Sequence, residues 1–284
     1  VNSLLEIVLD KIFDYAGEYP PASEPFLHAL TLSGQFKEIL KRPNLVGADL
    51  VTDVEHLQIL STINLNEYNF HPGQDFRVCF LGLEGEFQDI SAFNRVGADG
   101  VRRIISAFEI KGTPTVEQKS TIPLAYEPDL SLDNWQDNLS QVLKFPNIIL
   151  KIRANGPRAI SMERLADVIM IATEKNAHLK ITGEHHHPII EKDLYNNKFG
   201  FLNFILAVLF SRVLGGKNIN VLSFLENTDP LAFRFEEDQI SYDSFAITKA
   251  ELIKAKNSAH LSIGSCSLTE PDDDLYRLFG EPAL

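Results

Sequence analysis

Ile148-Ile149-Leu150-Lys151-Ile152-Arg153, a helical pattern from Ser161 to Asn176, and then Leu179-Lys180-Ile181-Thr182-Gly183-Glu184-His185-His186-His187-Pro188 read together as a β-α-β unit. The first segment alternates and ends on a cation. The second is a short run with apolar flanks that ends in three imidazoles and a proline. Charged groups therefore stand at the carboxyl ends of two neighbouring strands, where open α/β sheets and barrels hold their active sites.

Working outward, strand patterns are expected at Ala48 to Val51, Phe76 to Leu83, Arg103 to Ile110, Thr121 to Tyr126, Asn147 to Arg153, His178 to Thr182, Ile219 to Leu225 and His260 to Gly264. Helical patterns at Leu132 to Lys144, Ser161 to Asn176, Phe199 to Leu214 and Tyr242 to Asn257 separate several of them. Such alternation implies parallel pairing through right-handed crossovers. The simplest closure is a (β/α)8 TIM-barrel-like α/β domain, complete or stopping short of full closure. Only Lys111 to Ser120 joins the third and fourth strands, which is short for a crossover with a helix, so that pair is open to an antiparallel reading. Leu4, Leu5, Val8, Leu9, Ile12 and Phe13 recur at helical spacing, and Phe26 to Leu40 repeats the habit after Pro20-Pro21. Residues 1–43 are thus expected to be an N-terminal helical segment flanking a barrel over 44–284. Thr269-Glu270-Pro271-Asp272-Asp273-Asp274 has the proline and carboxylates of the first turn of a final helix.

The 284 residues, 44% hydrophobic, are enough for one large α/β domain. The formal charge of -13, from 39 acids against 26 bases, argues against general nucleic-acid or anionic-membrane binding. Only Cys79 and Cys266 occur, which excludes a disulfide framework or a multi-cysteine zinc site and suits a cytoplasmic protein. Val1-Asn2-Ser3-Leu4-Leu5 has no secretory n-region. Phe199 to Leu214 is interrupted by Asn203, Ser211 and Arg212 and is shorter than the roughly 20 residues of a membrane span, so it reads as a buried helix.

Several residues in this frame could carry chemistry. Leu179 and Ile181 should pack outward, which points Lys180 into the barrel, where desolvation and nearby cations would free its amine for attack on carbonyls. A buried lysine paired with a carboxylate such as Glu127 is the competing structural reading. Arg153, before the Asn155-Gly156 turn, suits a carboxylate or phosphate, or else an ion pair across the mouth. Lys151 shares its parity one layer deeper. Glu127, Glu109 and Glu84 each fall toward a strand end and could serve as acid/base groups or metal ligands. Of His185, His186 and His187 at most two can share a site, since adjacent residues in extended chain diverge. There is no His-Glu-x-x-His spacing, so substrate-contacting imidazoles are favoured over a metal site. Gly264-Ser265-Cys266-Ser267 forms a small-residue turn before a helix, able to hold a phosphate. Asn155, Thr182, Ser265 and Cys266 complete the expected substrate-contacting set, with Cys266 lacking any nearby Cys-His nucleophile pattern.

The pattern Lys-x-Thr-x-x-x-His-His-Pro from Lys180 to Pro188, with Gly200-Phe201-Leu202-Asn203 and then Gly264-Ser265-Cys266-Ser267, Glu270-Pro271 and Asp273-Asp274-Leu275, resembles an uncharacterised bacterial protein family. The resemblance covers the second half of the chain. This chain reads Arg153-Ala154-Asn155-Gly156 where those proteins have an Arg-Thr-Gly-Gly-like turn, and Glu184-His185-His186-His187-Pro188 where they have a Gly-Leu-His-His-Pro-like end. The resemblance groups these residues and names no reaction. More loosely, the chain is similar to barrel-type Schiff-base aldolases, which carry a lysine on the sixth strand in a Lys-Thr/Ala-Gly-like sequence.

The resulting expectation is a cytoplasmic enzyme acting on a small anionic carbonyl compound by lyase or aldolase chemistry. Lys180 is the imine-forming amine, Glu127 the acid/base group, Arg153 the anion clamp, and His186 or His187 orients the substrate. No organic cofactor is expected, and a divalent metal is left open. The alternatives are a metal-dependent isomerase or hydrolase using the histidines, and a non-catalytic small-anion binding protein. Neither a nucleic-acid nor a membrane partner is expected, and a homo-oligomer is left open.

Overall fold

In a computed structural model, described for residues 3–86, 90–115, 120–145, 147–183, 186–190 and 199–282, the chain forms a mixed α/β barrel. The barrel strands in chain order are β1 (Phe13–Tyr15), β2 (Val46–Ala48), β3 (Leu50–Asp53), β4 (Asp75–Gly82), β6 (Arg102–Lys111), β7 (Leu124–Glu127), β8 (Ile148–Arg153), β9 (His178–Thr182) and β13 (Leu261–Ser265). The short β5 (Arg95–Val96) lies antiparallel against β6. All nine barrel strands pair in parallel, in the order β2-β1-β13-β9-β8-β7-β6-β4-β3. The two ends of this path, β2 and β3, are halves of one run broken at Asp49. The first half pairs with β1 and the second with β4, so the barrel comes close to closing through a single stretch of chain.

Helices cover the outside: α1 (Ser3–Leu9), α2 (Phe26–Ile39), α3 (Leu57–Thr62), α4 (Trp135–Leu143), α5 (Met162–Glu174), α6 (Phe201–Leu214), α7 (Val221–Leu225), α8 (Lys249–Ser258) and α9 (Thr269–Phe279). Strand alternation separates two cores. Leu150, Ile152, Leu179 and Ile181 face outward into the main apolar layer under the helices. The inward positions form a much smaller cluster of Ala48, Val51, Cys79, Ala107, Ala125 and Ile149. Small residues inside leave room for long polar side chains from the remaining inward positions, and the site is built in that space.

The structure corrects the sequence reading at three places and settles a fourth that was open. Ile12 and Phe13, read as helical, lie beyond a short helix that ends at Leu9, and Phe13–Tyr15 is a strand held between β2 and β13, so this N-terminal segment supplies part of the barrel wall. Ile219 to Leu225, read as a strand, is largely α7, which buries Val221, Phe224 and Leu225 at helical spacing. Tyr242 to Asn257, read as one helix, begins within the last hairpin of an antiparallel sheet of β10 (Arg234–Phe235), β11 (Gln239–Tyr242) and β12 (Phe245–Thr248); the helix starts only at Lys249. There Thr248 and Glu251 form a reciprocal capping box, the signal that fixes the true start. The pair left open, β6 and β7, is parallel despite its short connection.

Phe199 to Leu214 is a buried helix as read: every residue from Phe201 to Ser211 of α6 is buried. Among the described residues no helix is long and apolar enough to cross a membrane.

Candidate functional site

Lys151 on β8 and Lys180 on β9 are register partners, and so are Arg153 and Thr182 one layer above them. The alternation that sends Leu150, Ile152, Leu179 and Ile181 outward turns all four of these side chains into the barrel. Gly264 on β13 pairs with Thr182 on one side and Asp14 of β1 on the other. A Cβ at Gly264 would stand 2.8 Å from Thr182 Cγ2, so glycine there leaves room for the Thr182 side chain beside it. Gly183 turns the chain out of β9 at φ +115°, where a side chain would collide with Asn155.

Inside, six charged groups form an alternating chain. Lys180 Nζ lies 2.5 Å from Asp14 Oδ2 and 2.6 Å from Glu109 Oε1. The other oxygen of Glu109 accepts from Lys151 Nζ at 2.5 Å, and Lys151 reaches Glu127 Oε2 at 2.9 Å. Glu127 in turn accepts from both Nε and Nη2 of Arg153, at 3.3 and 2.9 Å. Three carboxylates thus face three cations, and all but Arg153 are buried. Buried charges need this pairing, because an unpaired one would carry an uncompensated desolvation cost of several kcal/mol.

The electrostatics follow from the pairing. Burial alone would raise the Glu109 pKa, but the two ammoniums outweigh it and hold the carboxyl well below the ordinary range. Glu127 is lowered in the same way, against burial, by Lys151 and Arg153. For Lys180, burial favours the neutral amine, yet Asp14 and Glu109 together raise its pKa well above the usual lysine value. Cys79, which donates to Glu109 at 3.0 Å, is pushed far up by burial and by Glu109, and it stays a neutral thiol.

Above this chain lies a cavity of about 560 Å³ including its solvent-open mouth, at the carboxyl end of the strands. Glu109, Lys151, Lys180, Arg153, Asn155 and Thr182 line it, with Ala16, Tyr19 and Pro20 from the loop after β1 and Gly264 and Cys266 from the end of β13. Thr182 Oγ1 is buried in its wall without a hydrogen-bond partner among the described residues. It is available to a polar ligand.

The expected site residues are brought together unequally. Lys180, Arg153, Asn155, Thr182 and Cys266 line the one cavity. Glu127 sits beneath Arg153 and touches Lys151, so it is one step removed from Lys180, whose carboxylate partners are Asp14 and Glu109. Ser265 has the opposite parity to Gly264 and Cys266; it is buried, and its hydroxyl donates to the Ser267 carbonyl at 2.5 Å. His186 reaches the cavity only through Cys266, Sγ to Nε2 3.3 Å, while its Nδ1 meets Glu270. His187 turns away to Asp274 at 2.6 Å. Glu184 and His185 lie outside the described residues. Among the described residues no three His, Cys, Asp or Glu side chains are grouped to hold a metal ion.

Asp14 and Tyr19 were missed because the N-terminal segment reads as helix. The available signal was a lone acid inside the apolar run Ile12-Phe13-Asp14-Tyr15-Ala16, an unusual place for a carboxylate unless it meets a buried cation.

No protein-family model, curated protein or solved structure matches this chain.

Proposed function

We propose that the protein is a cytoplasmic enzyme of lyase or aldolase type that acts on a small anionic carbonyl compound through an imine on Lys180. The observation that carries this reading is the pair of register-matched lysines sharing Glu109 on the floor of a cavity whose rim holds Arg153. At rest Lys180 is an ammonium. Substrate entry displaces its contacts, and Asp14, at 2.5 Å, takes the proton. The free amine then adds to the carbonyl carbon, and the Lys151 ammonium protonates the departing hydroxyl, releasing water and leaving a protonated imine. That cation draws electrons from the adjacent carbon-carbon bond. Arg153 holds the anionic group of the substrate, and Thr182 Oγ1 donates to a substrate oxygen.

Sodium borohydride in the presence of pyruvate or glycolaldehyde phosphate tests this. A reduced adduct on the Lys180 peptide, lost in Lys180→Ala with the far-ultraviolet circular dichroism unchanged, is the expected result. An adduct on Lys151 would reassign the nucleophile, and no adduct with either probe would reject lysine chemistry on these substrates.

The double pairing of Lys180, which stabilises its charged form, favours a second reading: a small-anion binding protein without a covalent step. It predicts calorimetric binding of the same probes that depends on Arg153, with no adduct after borohydride.

A further inference from the structure

Cys266 follows β13 directly and points into the cavity, half-buried. Its thiol lies 3.3 Å from His186 Nε2, and the opposite ring nitrogen of His186 meets Glu270 in the first turn of α9. The three residues come from the loop after β9, the loop after β13 and the following helix. Their assembly is a product of the fold, with 80 and 84 positions of sequence separating the histidine from its two partners. The two ring nitrogens divide the roles, since Nδ1–H donates to the Glu270 carboxylate and so leaves Nε2 as the acceptor for the thiol proton.

The neighbouring residues show that this is more than loop anchoring. His187 makes the corresponding carboxylate contact, with Asp274, which also pairs with Arg277 at 2.9 Å, and it already ties the same loop to the same helix. Only the His186 contact continues to a thiol that faces the cavity. The other cysteine provides a contrast within the molecule, since Cys79 is fully buried and donates to a carboxylate instead of to an imidazole. Burial lowers the His186 pKa, but Cys266 and Glu270 outweigh it and raise the imidazole above its ordinary value, as befits a ring that accepts a thiol proton.

We propose that Cys266, His186 and Glu270 form a thiol-nucleophile site at the cavity mouth that accepts the acyl group of a small thioester or ester carrying a negative charge. The reaction is independent of imine formation on Lys180. His186 Nε2 takes the thiol proton while sulfur bonds to the acyl carbon. The tetrahedral adduct collapses, the bond to the leaving thiol or alcohol breaks, and His186 returns the proton to that leaving group. Water, deprotonated by His186, then attacks the acyl-cysteine. The products are the leaving thiol or alcohol, a carboxylic acid and the regenerated Cys266 thiol, so protons and electrons balance with water as the co-reactant and without an oxidant. Glu270 acts through the imidazole as a positioning residue, and Arg153 on the same rim supplies the preference for an anionic acyl group.

The full-length chain is treated with iodoacetamide at neutral pH, and separately with p-nitrophenyl acetate as the acyl probe, and adducts are mapped by mass spectrometry. Cys266 is expected to be alkylated at least about tenfold faster than Cys79 and to accumulate an acetyl group in a burst that Cys266→Ser removes. His186→Asn should slow both reactions at Cys266 by about tenfold or more. Glu270→Gln should shift the pH midpoint of the alkylation rate, an effect that lost packing alone would not produce. Asp274→Asn is the control for loop position and should leave the Cys266 rate and midpoint unchanged. Equal alkylation of Cys266 in wild type and His186→Asn, an absent acetyl adduct, or equal effects of Asp274→Asn and Glu270→Gln would each overturn the proposal. A borohydride adduct on Lys180 and an acetyl group on Cys266 appear on different peptides, so failure of one reading is distinguishable from failure of the other.

Discussion

Lys151 and Lys180 stand opposite one another on adjacent strands, and Glu109 bridges them, one carboxylate oxygen 2.5 Å from the first ammonium and the other 2.6 Å from the second. One carboxylate thereby cancels the repulsion between two buried cations and couples their protonation states. Whatever reacts at either lysine must first shift a proton or a contact within this bridge.

Glu109→Gln therefore leaves two buried ammoniums with one carboxylate each, Asp14 and Glu127. The expected loss is about 3–5 kcal/mol in urea unfolding near neutral pH, the usual range for breaking a buried ion pair from one side. Adding Lys151→Met should restore much of it, because the second change removes the cation that the first left under-compensated. A Glu109→Gln protein as stable as wild type would show that the bridge carries no net energy.

A second buried pair sits at the opposite end of β6, where Arg103 donates to Asp99 at 2.9 and 3.0 Å. These bonds and the backbone amides of Leu65 and Val101 hold the Asp99 carboxyl at about 2, against an ordinary 3.8. A depressed carboxyl contributes stability that is complete above its unfolded value and is lost as pH falls through the folded one. The stability gap between wild type and Asp99→Asn should thus be widest above about pH 4 and narrow toward pH 2. Urea midpoints across that range would show it, and a gap constant with pH would refute the assignment.

Legibility of the fold in the sequence followed how local the determining contacts are. β8 and β9 were readable because their period-2 alternation over Ile148–Arg153 and His178–Thr182 coincides with burial on the outer face. The orientation of Lys180 followed from the same alternation, but its partners did not, since Asp14 and Glu109 come from strands 166 positions and 71 positions away. β1 was obscured because three residues are too few to show any period, and Leu4 to Leu9 in front of them is strongly helical. Ile219 to Leu225 misled in the opposite sense: its β-branched and aromatic content suits a strand, whereas its burial follows positions 221, 224 and 225 of a helix. The Cys266–His186 contact had no local signal at all. It exists only because β9 and β13 are neighbours, so that the loops leaving them meet above the cavity.

β1 gives a third expectation. Phe13 is fully buried, with its ring 5.1 Å edge-on from Phe201 of α6 while its backbone pairs with both β2 and β13. If residues 12–16 were an appended segment, Phe13→Ala would cost little. As part of the barrel wall it should cost about 3–5 kcal/mol, the range for truncating a buried aromatic, and guanidinium unfolding should remain a single transition. A cost below about 1 kcal/mol would place the strand outside the cooperative core.

Asn203 is the remaining sequence singularity, a polar residue in the middle of the apolar run Phe199 to Leu214. It is fully buried in the first turns of α6, and all its bonds are made to backbone. Its Oδ1 accepts from the Ile190 amide at 3.0 Å, and its Nδ2 donates to the carbonyls of Phe224 and Asn227 at 2.7 and 2.9 Å. One side chain thus ties the segment after the His-His-Pro motif and the end of α7 to the same helix. Asn203→Leu would leave one amide and two carbonyls unpaired in an apolar setting, at about 1–3 kcal/mol for each group that finds no other partner. Asn203→Asp keeps the acceptor for Ile190 but turns both carbonyl contacts repulsive, so it should be the worse of the two near neutral pH and should recover as pH falls and the carboxyl takes a proton. Hydrogen exchange separates this from a general loss of packing: in Asn203→Leu the Ile190 amide should lose protection ahead of the α6 backbone. Uniform loss of protection across α6 would mean that Asn203 serves packing alone.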